Sequence, residues 1–206
     1  MATQHERRTA TRSRLLDAAL AVLVEHGAAG FTTTEVGRRA GLSQGAIFRH
    51  FATKADLLAA TVEHLFAALV ARYEGQFATV APDAGVAERV RSALDLLWDV
   101  FQDERLLAAY DLFTAARTDA VLQVDLQPVV RAHVANLHAL ADILFGDLAT
   151  ADRPGLHAVV DLAAATMQGL VVNRQAVADP DVEDRVRALL ADLAVERLVT
   201  EPTAGP

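Results

Sequence analysis

The sequence predicts an all-α protein, on the strength of three observations. Ala, Leu, Arg and acidic residues dominate its 206 residues, and the first three are strong helix formers. Apolar residues recur at spacings of three and four, as on the buried face of a helix, whereas the period-two alternation of a half-buried strand is hard to find. A chain of this length, with 52% hydrophobic residues, can bury roughly 70% of its unfolded surface in a core.

The first quarter of the chain predicts three helices, of which the second and third are short. Leucines at three- and four-residue spacings predict a helix over 9–26, and Gly27 supplies its C-terminal stop. Two short helices are expected over 33–40 and 44–51, joined by a turn that contains a glycine. Ser43 ends this turn and is a good N-cap for the helix that follows.

Longer helices are expected over most of the remaining chain. The apolar spacings place them at about 54–79, 86–101, 106–117, 128–146, 154–178 and 180–199. Breaks between them are marked by Pro82-Asp83, by Asp152-Arg153-Pro154, and by Asp179-Pro180, a capping residue followed by a proline. Pro128 is placed in the first turn of its helix, and the tail 201–206 is expected to be disordered.

The composition argues against several classes of protein. The absence of Cys excludes disulfide frameworks, thiolate nucleophiles and Cys-based zinc sites. No G-x-S-x-G or H-E-x-x-H motif is present, so the sequence predicts neither an enzyme nor a metal site, and it implies no cofactor. The longest charge-free apolar stretch, 162–173, is shorter than the ~20 residues of a spanning helix, and the polar N-terminus lacks a signal-like apolar region. We therefore expect a cytoplasmic protein with no membrane partner.

The charge is unevenly distributed along the chain. The net charge of −8, taken alone, argues against a nucleic-acid partner. Residues 1–55, however, contain eight basic and four acidic side chains, a net +4, which leaves −12 for the remainder. Such asymmetry is typical of a chain in which one segment binds the phosphates of a nucleic acid, although a solvated arginine-rich tail would give the same net charge. The arginines at 7, 8, 12 and 14 fit either a DNA-binding arm or a frayed terminus.

The stretch from Gly27 to Leu58, GAAGFTTTEVGRRAGLSQGAIFRHFATKADLL, carries the clearest functional signal. Two short helices joined by a tight turn are typical of the helix-turn-helix arrangement, in which the second helix lies in the DNA major groove, although ordinary bundles contain such pairs too. Residues 44–51 would span roughly 12 Å, about the width of that groove. Gln44 and Arg49 are suited to reading adenine and guanine edges.

This stretch resembles the DNA-binding domain of the TetR family of transcriptional regulators. The residues that carry the resemblance are Phe31-Thr32-Thr33-Thr34, Val36, Ala40-Gly41-Leu42-Ser43, Gln44-Gly45, Phe48, His50-Phe51, Lys54 and Leu57-Leu58. The resemblance implies a three-helix DNA-binding domain, assigned to 1–55, followed by a larger helical domain, 56–206. In the family the larger domain binds a small-molecule inducer and dimerises through its last two helices.

The resemblance also implies a set of DNA-contacting residues. These are Thr33, Thr34, Ser43, Gln44, Gly45, Ala46, Phe48, Arg49, His50 and Lys54. Three positions depart from the usual pattern. Phe48 replaces a tyrosine, Ala46 stands where threonine is common, and Gly37 stands where alanine is usual, which should loosen its helix by up to ~1 kcal/mol.

Aromatic side chains beyond residue 58 give candidate ligand contacts, because they lie mainly on helices that line the ligand cavity in the family. The candidates are Trp98, Tyr110, His133, Phe101, Phe113 and Phe66. The first three combine an apolar body with a polar atom, as ligand pockets require, although most such residues serve as core. They imply a mostly apolar or aromatic ligand.

The last two helices are apolar beyond the needs of one buried stripe, which indicates either intrachain core or a four-helix bundle between two protomers. The resulting hypothesis is a homodimeric repressor that releases palindromic, double-stranded operator DNA when a small molecule binds. Two alternatives remain: a helical carrier or enzyme for lipid-like molecules, and an accessory protein that docks another protein through the helical pair.

Overall fold

The structure is a computed structural model that describes residues 3–80, 84–177 and 179–199. Every regular element in these ranges is an α-helix, which confirms the all-α prediction. The helices are α1 Gln4–Gly30, α2 Thr33–Ala40, α3 Gln44–Ile47, α4 Lys54–Phe77, α5 Val86–Phe101, α6 Glu104–Ala116, α7 Ala120–Leu144, α8 Gly146–Arg174 and α9 Pro180–Val199. The break expected at Pro82-Asp83 and the disordered tail expected over 201–206 lie outside the described residues.

The first three helices follow from local capping signals. Thr3 and Glu6 form a capping box that starts α1 five residues earlier than expected, and Gly27, at φ 63°, is a kink rather than the end of α1. Thr32 caps α2, whose bounds match the prediction, and Gly41 ends it at φ 64°. The left-handed backbone at these two glycines is readily available only to a residue without a side chain.

The third helix is shorter than the predicted 44–51. Ser43 caps it as expected, with its hydroxyl accepting the Ala46 N–H, but α3 ends at Ile47. The carbonyl of Ile47 accepts the N–H groups of both His50 and Phe51, which tightens the chain into a turn instead of another helical turn. Phe51 still reaches the core and is buried.

Two compact units account for the described chain. Unit 1 comprises residues up to Ala68 together with Glu104–His133, and unit 2 comprises Leu69–Asp103 together with residues from Val134 onward. In unit 1, α1 packs against α2 and α6 around buried leucine and phenylalanine side chains, and α2 packs against α3. In unit 2, α5, α8 and α9 pack against one another. The boundary between the predicted functional domains at residue 55 stays a prediction.

The start of α7 is a correction. Pro128 does not lie in a first turn but in the interior of a helix that begins at Ala120. The Asp119 carboxylate accepts the N–H groups of Val121 and Leu122 and so caps the helix nine residues before the proline. Pro128 removes one backbone donor from the helix without ending it.

The expected break at Asp152 is confirmed inside α8. Asp152 leaves the helical conformation (φ −151°, ψ 77°), and its carboxylate accepts the Gly155 N–H over 3.0 Å. Asp179 caps α9 in the same way through the Val182 N–H. Among the described residues α8 is the one helix long and apolar enough to cross a membrane by length and composition. Because Asp152 and Asp161 interrupt it, this feature does not indicate a membrane span.

Candidate nucleic-acid interface

The α2–turn–α3 segment is held by close backbone contacts. The Leu42 N–H donates to the Gly37 carbonyl over 2.9 Å, and Val36 and Ile47 are fully buried beneath the turn. A Cβ atom at Gly37 would lie 2.8 Å from the Leu42 carbonyl oxygen. The glycine that the sequence suggested would loosen α2 therefore permits this close approach, and an alanine would require the turn to shift.

The outward side of α3 and the turn that follows it present an amide and a guanidinium group. The Gln44 amide nitrogen donates to the Thr34 hydroxyl over 2.6 Å, and the Arg49 Nε atom donates to the Gly45 carbonyl over 3.2 Å. Phe48 beside them is 47% exposed. Residues Thr34, Ser43, Gln44, Gly45, Phe48, Arg49 and Lys54 are exposed, and Thr33, Ala46 and His50 are partly buried. The structure therefore brings the predicted DNA-contacting residues to one accessible segment of unit 1.

The N-terminal turns of α1 add positive charge near His50. Burial lowers the pKa of His50, and the positive charges of Arg8, Arg12 and Arg49 lower it further. The Arg12 guanidinium lies 5.1 Å from the centre of the Phe51 ring, a cation–π distance. The basic N-terminus is thus helical and adjoins the segment around α3, a placement that the sequence did not settle.

Salt bridges within the protein determine which basic side chains lack a carboxylate partner. Arg38 and Arg39 both bind Glu35, and Arg39 also binds Glu25. The hydrogen bond from Arg38, with the second from Arg39, lowers the pKa of Glu35 to about 2. Within the described ranges no carboxylate pairs with Arg8, Arg12, Arg14, Arg49 or Lys54. The Lys54 ammonium instead lies 5.6 Å from the centre of the Phe31 ring.

Four of the six candidate ligand residues form an aromatic cluster in unit 1. The rings of Phe66 and His133 stack at 3.8 Å with an interplanar angle of 15°. Phe113 lies 6.4 Å from Phe66 and 5.9 Å from Tyr110, measured between ring centres. The buried Nδ1 atom of His133 has no hydrogen-bond partner among the described residues, and burial lowers the pKa of this side chain to about 4.

The other two candidates, Trp98 and Phe101, belong to α5 in unit 2, where both are buried. Two guanidinium groups lie over the Trp98 ring, that of Arg174 at 5.1 Å and that of Arg187 at 4.9 Å from its centre. These contacts join α5 to α8 and α9.

A separate open groove of about 870 Å³ lies in unit 1 between the ends of α1 and α6 and the starts of α4 and α7. Lys54 and Asp111 are on its wall, and none of the six candidate ligand residues lines it. In the part of the chain that the structure describes, no group of three or more His, Cys, Asp or Glu side chains is arranged to hold a metal ion.

Comparison with known proteins decides the family. The profile described as "Bacterial regulatory proteins, tetR family" matches residues 15–61. An uncharacterised helix-turn-helix transcriptional regulator of Mycobacterium tuberculosis is 30% identical over 191 residues, which cover 93% of this chain and 96% of the relative. The transcriptional regulator CymR of Pseudomonas putida is 32% identical over 197 residues, covering 95% and 94%. The chain belongs to the TetR family.

Solved structures agree with the fold of this TetR-family regulator. A transcriptional regulator from a Rhodococcus species has a TM-score of 0.68 at 22% identity, covering 93% of this chain and 99% of that one. The multidrug-binding protein EbrR, solved with imidazole, has a TM-score of 0.61 at 24% identity, covering 88% and 93%. FadR of Bacillus subtilis, solved with stearoyl-CoA, has a TM-score of 0.59 at 14% identity, covering 90% and 97%. The fold and the relatives are those of DNA-binding transcriptional regulators and not of enzymes.

Sequence reasoning missed the helical extension of this TetR-family protein that brings Arg8 and Arg12 beside His50. The signal was present, since Thr3 followed by Glu6 is a capping-box pattern. The Thr34–Gln44 hydrogen bond had no comparable signal, because it joins side chains ten residues apart across the turn.

Proposed function

We propose that this protein is a repressor that binds palindromic operator DNA as a homodimer and releases it when a small, mostly apolar molecule binds. The observation that carries the proposal is the exposed segment around α3, which presents Gln44 and Arg49 and adjoins Arg8 and Arg12, two cations that pair with no carboxylate of the described residues. An amide and a guanidinium group are the two side-chain types suited to bidentate readout of adenine and guanine.

The DNA contacts divide into two kinds. Gln44 and Arg49 read bases in the major groove, and Thr34 holds the Gln44 amide. The remaining predicted residues contact the DNA backbone and position the protein on it without reading the base sequence. They do so through hydroxyl, imidazole, ammonium, apolar and main-chain contacts. These are Thr33, Ser43, Gly45, Ala46, Phe48, His50 and Lys54.

Apolar side chains left exposed on α8 and α9 support dimerisation through these helices. They are Leu162 and Val172 on α8 and Val182, Leu189 and Leu193 on α9. A second copy placing the same helices against them would bury this surface in a two-fold interface. Two copies also supply the two recognition helices that a palindrome requires, about 34–36 Å apart. The apolar character of α8 would then reflect a protein interface, and we expect the dimer to act in the cytoplasm.

The ligand acts by favouring a dimer geometry that does not fit the two half-sites. A 10- to 100-fold loss of operator affinity requires only about 1.4–2.7 kcal/mol of differential binding. In unit 1, α4 carries Lys54 at its first residue and Phe66 twelve residues later, about 18 Å along the helix axis. A displacement of α4 at Phe66 would therefore move the DNA-contacting ammonium group.

Anisotropy titrations against duplexes from the promoters of its own and neighbouring genes test the proposal. A repressor binds one fragment specifically, with an affinity that falls as salt rises. Gln44→Ala and Arg49→Ala should each reduce the preference for that fragment, by roughly 5- to 150-fold. A helical carrier of lipid-like molecules would bind its small molecule but no DNA duplex. An accessory protein that docks another protein would bind neither the small molecule nor the duplex.

Light scattering at micromolar concentration tests the dimer. Leu189→Glu, at a side chain that is 60% exposed on α9, should yield monomers with weakened operator binding. Ile143→Glu, at an exposed apolar residue of α7, is the matched control and should remain dimeric. A monomeric wild-type protein would contradict the proposal that two recognition helices bind the two halves of a palindrome.

A further inference from the structure

We propose that the effector is an uncharged aromatic molecule whose hydroxyl group hydrogen-bonds to Nδ1 of His133. The inference rests on the ligand-responsive function proposed above and narrows the class of ligand. It follows from the geometry and electrostatics of the cluster formed by Phe66, Tyr110, Phe113 and His133.

The cluster supplies aromatic surface with an accessible edge. Phe66 is buried, whereas Tyr110, Phe113 and His133 each remain partly accessible. The Phe66 and His133 rings stack face to face, and the Tyr110 and Phe113 rings are tilted by 53° to each other. An aromatic guest that stacks or tilts against the accessible parts of Tyr110 and Phe113 would gain beyond its buried area, which an aliphatic guest of equal size would not.

The unpartnered nitrogen of His133 supplies the polar contact. A buried polar atom without a hydrogen bond is destabilising, and the great majority of such atoms in native proteins have a partner. In a neutral imidazole one nitrogen donates and the other accepts. A hydroxyl group can both donate and accept, so it matches Nδ1 in either tautomer, whereas a ketone or an ether matches only one.

The electrostatics of His133 select against a charged ligand. Burial alone lowers its pKa, with no contribution from a neighbouring charge. The imidazole is therefore neutral near pH 7, and among the described residues no carboxylate forms a salt bridge with it and no side chain hydrogen-bonds to its Nδ1 atom. A buried carboxylate or ammonium group on the ligand would lack a compensating partner here, which is costly.

Calorimetry with matched probes tests the ligand class independently of DNA. The one-ring set is 4-ethylphenol, ethylbenzene and 4-ethylbenzoate, and the two-ring set is 2-naphthol, naphthalene and 2-naphthoate. In at least one set the hydroxylated compound should bind about 10-fold tighter than the hydrocarbon, which corresponds to about 1.4 kcal/mol. The carboxylate should bind weakest.

His133→Phe keeps the aromatic stack and removes the nitrogen, so it should reduce the affinity for the hydroxylated probe to that for the hydrocarbon. His133→Asn, which places a polar atom near the position of Nδ1, should restore part of the difference. His138→Phe, at a histidine of unit 2 that binds Asp161, is the control and should leave the preference unchanged. The Nδ1 nitrogen resonance of His133 should shift on adding the phenol or naphthol but not the hydrocarbon.

Several results would overturn the inference. They are equal affinity for hydroxylated probe and hydrocarbon, tightest binding of the carboxylate, no binding of any probe, and an unchanged preference in a folded His133→Phe variant. In each case specific operator binding, measured separately by anisotropy, decides whether the proposed regulatory function stands without this ligand class.

Discussion

The hydrogen bond between Thr34 and Gln44 leads to a prediction that separates two roles for Thr34. The Gln44 amide nitrogen donates to the Thr34 hydroxyl over 2.6 Å, and both residues are exposed. This bond restricts rotation of the amide and leaves its oxygen and second N–H for a base edge. Thr34→Val keeps the shape of the side chain but removes the hydroxyl, so the amide loses its anchor.

The expected magnitude follows from that single bond. A neutral hydrogen bond contributes about 0.5–1.5 kcal/mol net, so Thr34→Val should weaken operator binding about 2- to 13-fold. Gln44→Ala removes the base contact itself, worth about 1–3 kcal/mol, or roughly 5- to 150-fold. If Thr34 acts only through Gln44, the double variant binds no more weakly than Gln44→Ala alone.

Anisotropy titrations of operator and scrambled duplex at several salt concentrations measure these effects. Thr34→Val should keep the wild-type salt dependence, because no phosphate contact is lost. Thr150→Val, at an exposed threonine of unit 2, should bind like wild type. Additive losses in the double variant, or a salt slope reduced by about one for Thr34→Val, would mean that Thr34 contacts phosphate directly, and the positioning role would be wrong.

Four further predictions concern charge and capping. In the same titrations Arg49→Lys should keep the salt dependence of binding but lose the base preference, since lysine cannot form the two parallel hydrogen bonds of a guanidinium group. Lys54→Ala should weaken binding to every duplex and reduce the slope of log affinity against log salt concentration by about one. The pKa of His50 is lowered in the free protein, and a phosphate would raise it. Operator affinity should therefore be greatest at pH values below the pKa of His50 in the free protein, and it should fall as pH rises through the pKa of His50 in the complex. A pH-independent affinity for wild type, or the same pH dependence in His50→Gln as in wild type, would contradict this. Asp152→Ala should lower the urea midpoint of unfolding, and Asp152→Asn, which keeps the bond to the Gly155 N–H, should lower it less; equal midpoints would refute the capping role.

Local signals account for the parts of the fold that the sequence predicted correctly. The bounds of α2 follow from a threonine cap and a glycine in the left-handed region, both of which act within a few residues. The break in α8 was visible for the same reason. The start of α7 was misplaced because two local signals competed, and the cap at Asp119 prevailed over the preference of Pro128 for a first turn.

Contacts between distant residues account for what could not be predicted. The stacking of Phe66 on His133 joins side chains that are far apart in the sequence, and the pairing of Arg39 with Glu25 joins α2 to α1. Such contacts depend on how helices pack, which helical periodicity does not specify. The resemblance to a family supplied the predicted DNA-contacting positions, but it could not indicate that the Gln44 amide hydrogen-bonds to Thr34.

The distribution of ion pairs changes what the net charge of −8 means. In unit 2 the guanidinium groups of Arg91, Arg187 and Arg174 are bound to Asp192, Asp95 and Glu183, so they are already neutralised within the protein. In the first 55 residues the carboxylates of Glu25 and Glu35 are bound to Arg38 and Arg39, which leaves the remaining cations there without competition from these two acids. An approaching duplex is therefore attracted to the α1 N-terminus and the segment around α3 and repelled by the acidic remainder. The acidity of the chain is therefore compatible with binding to DNA.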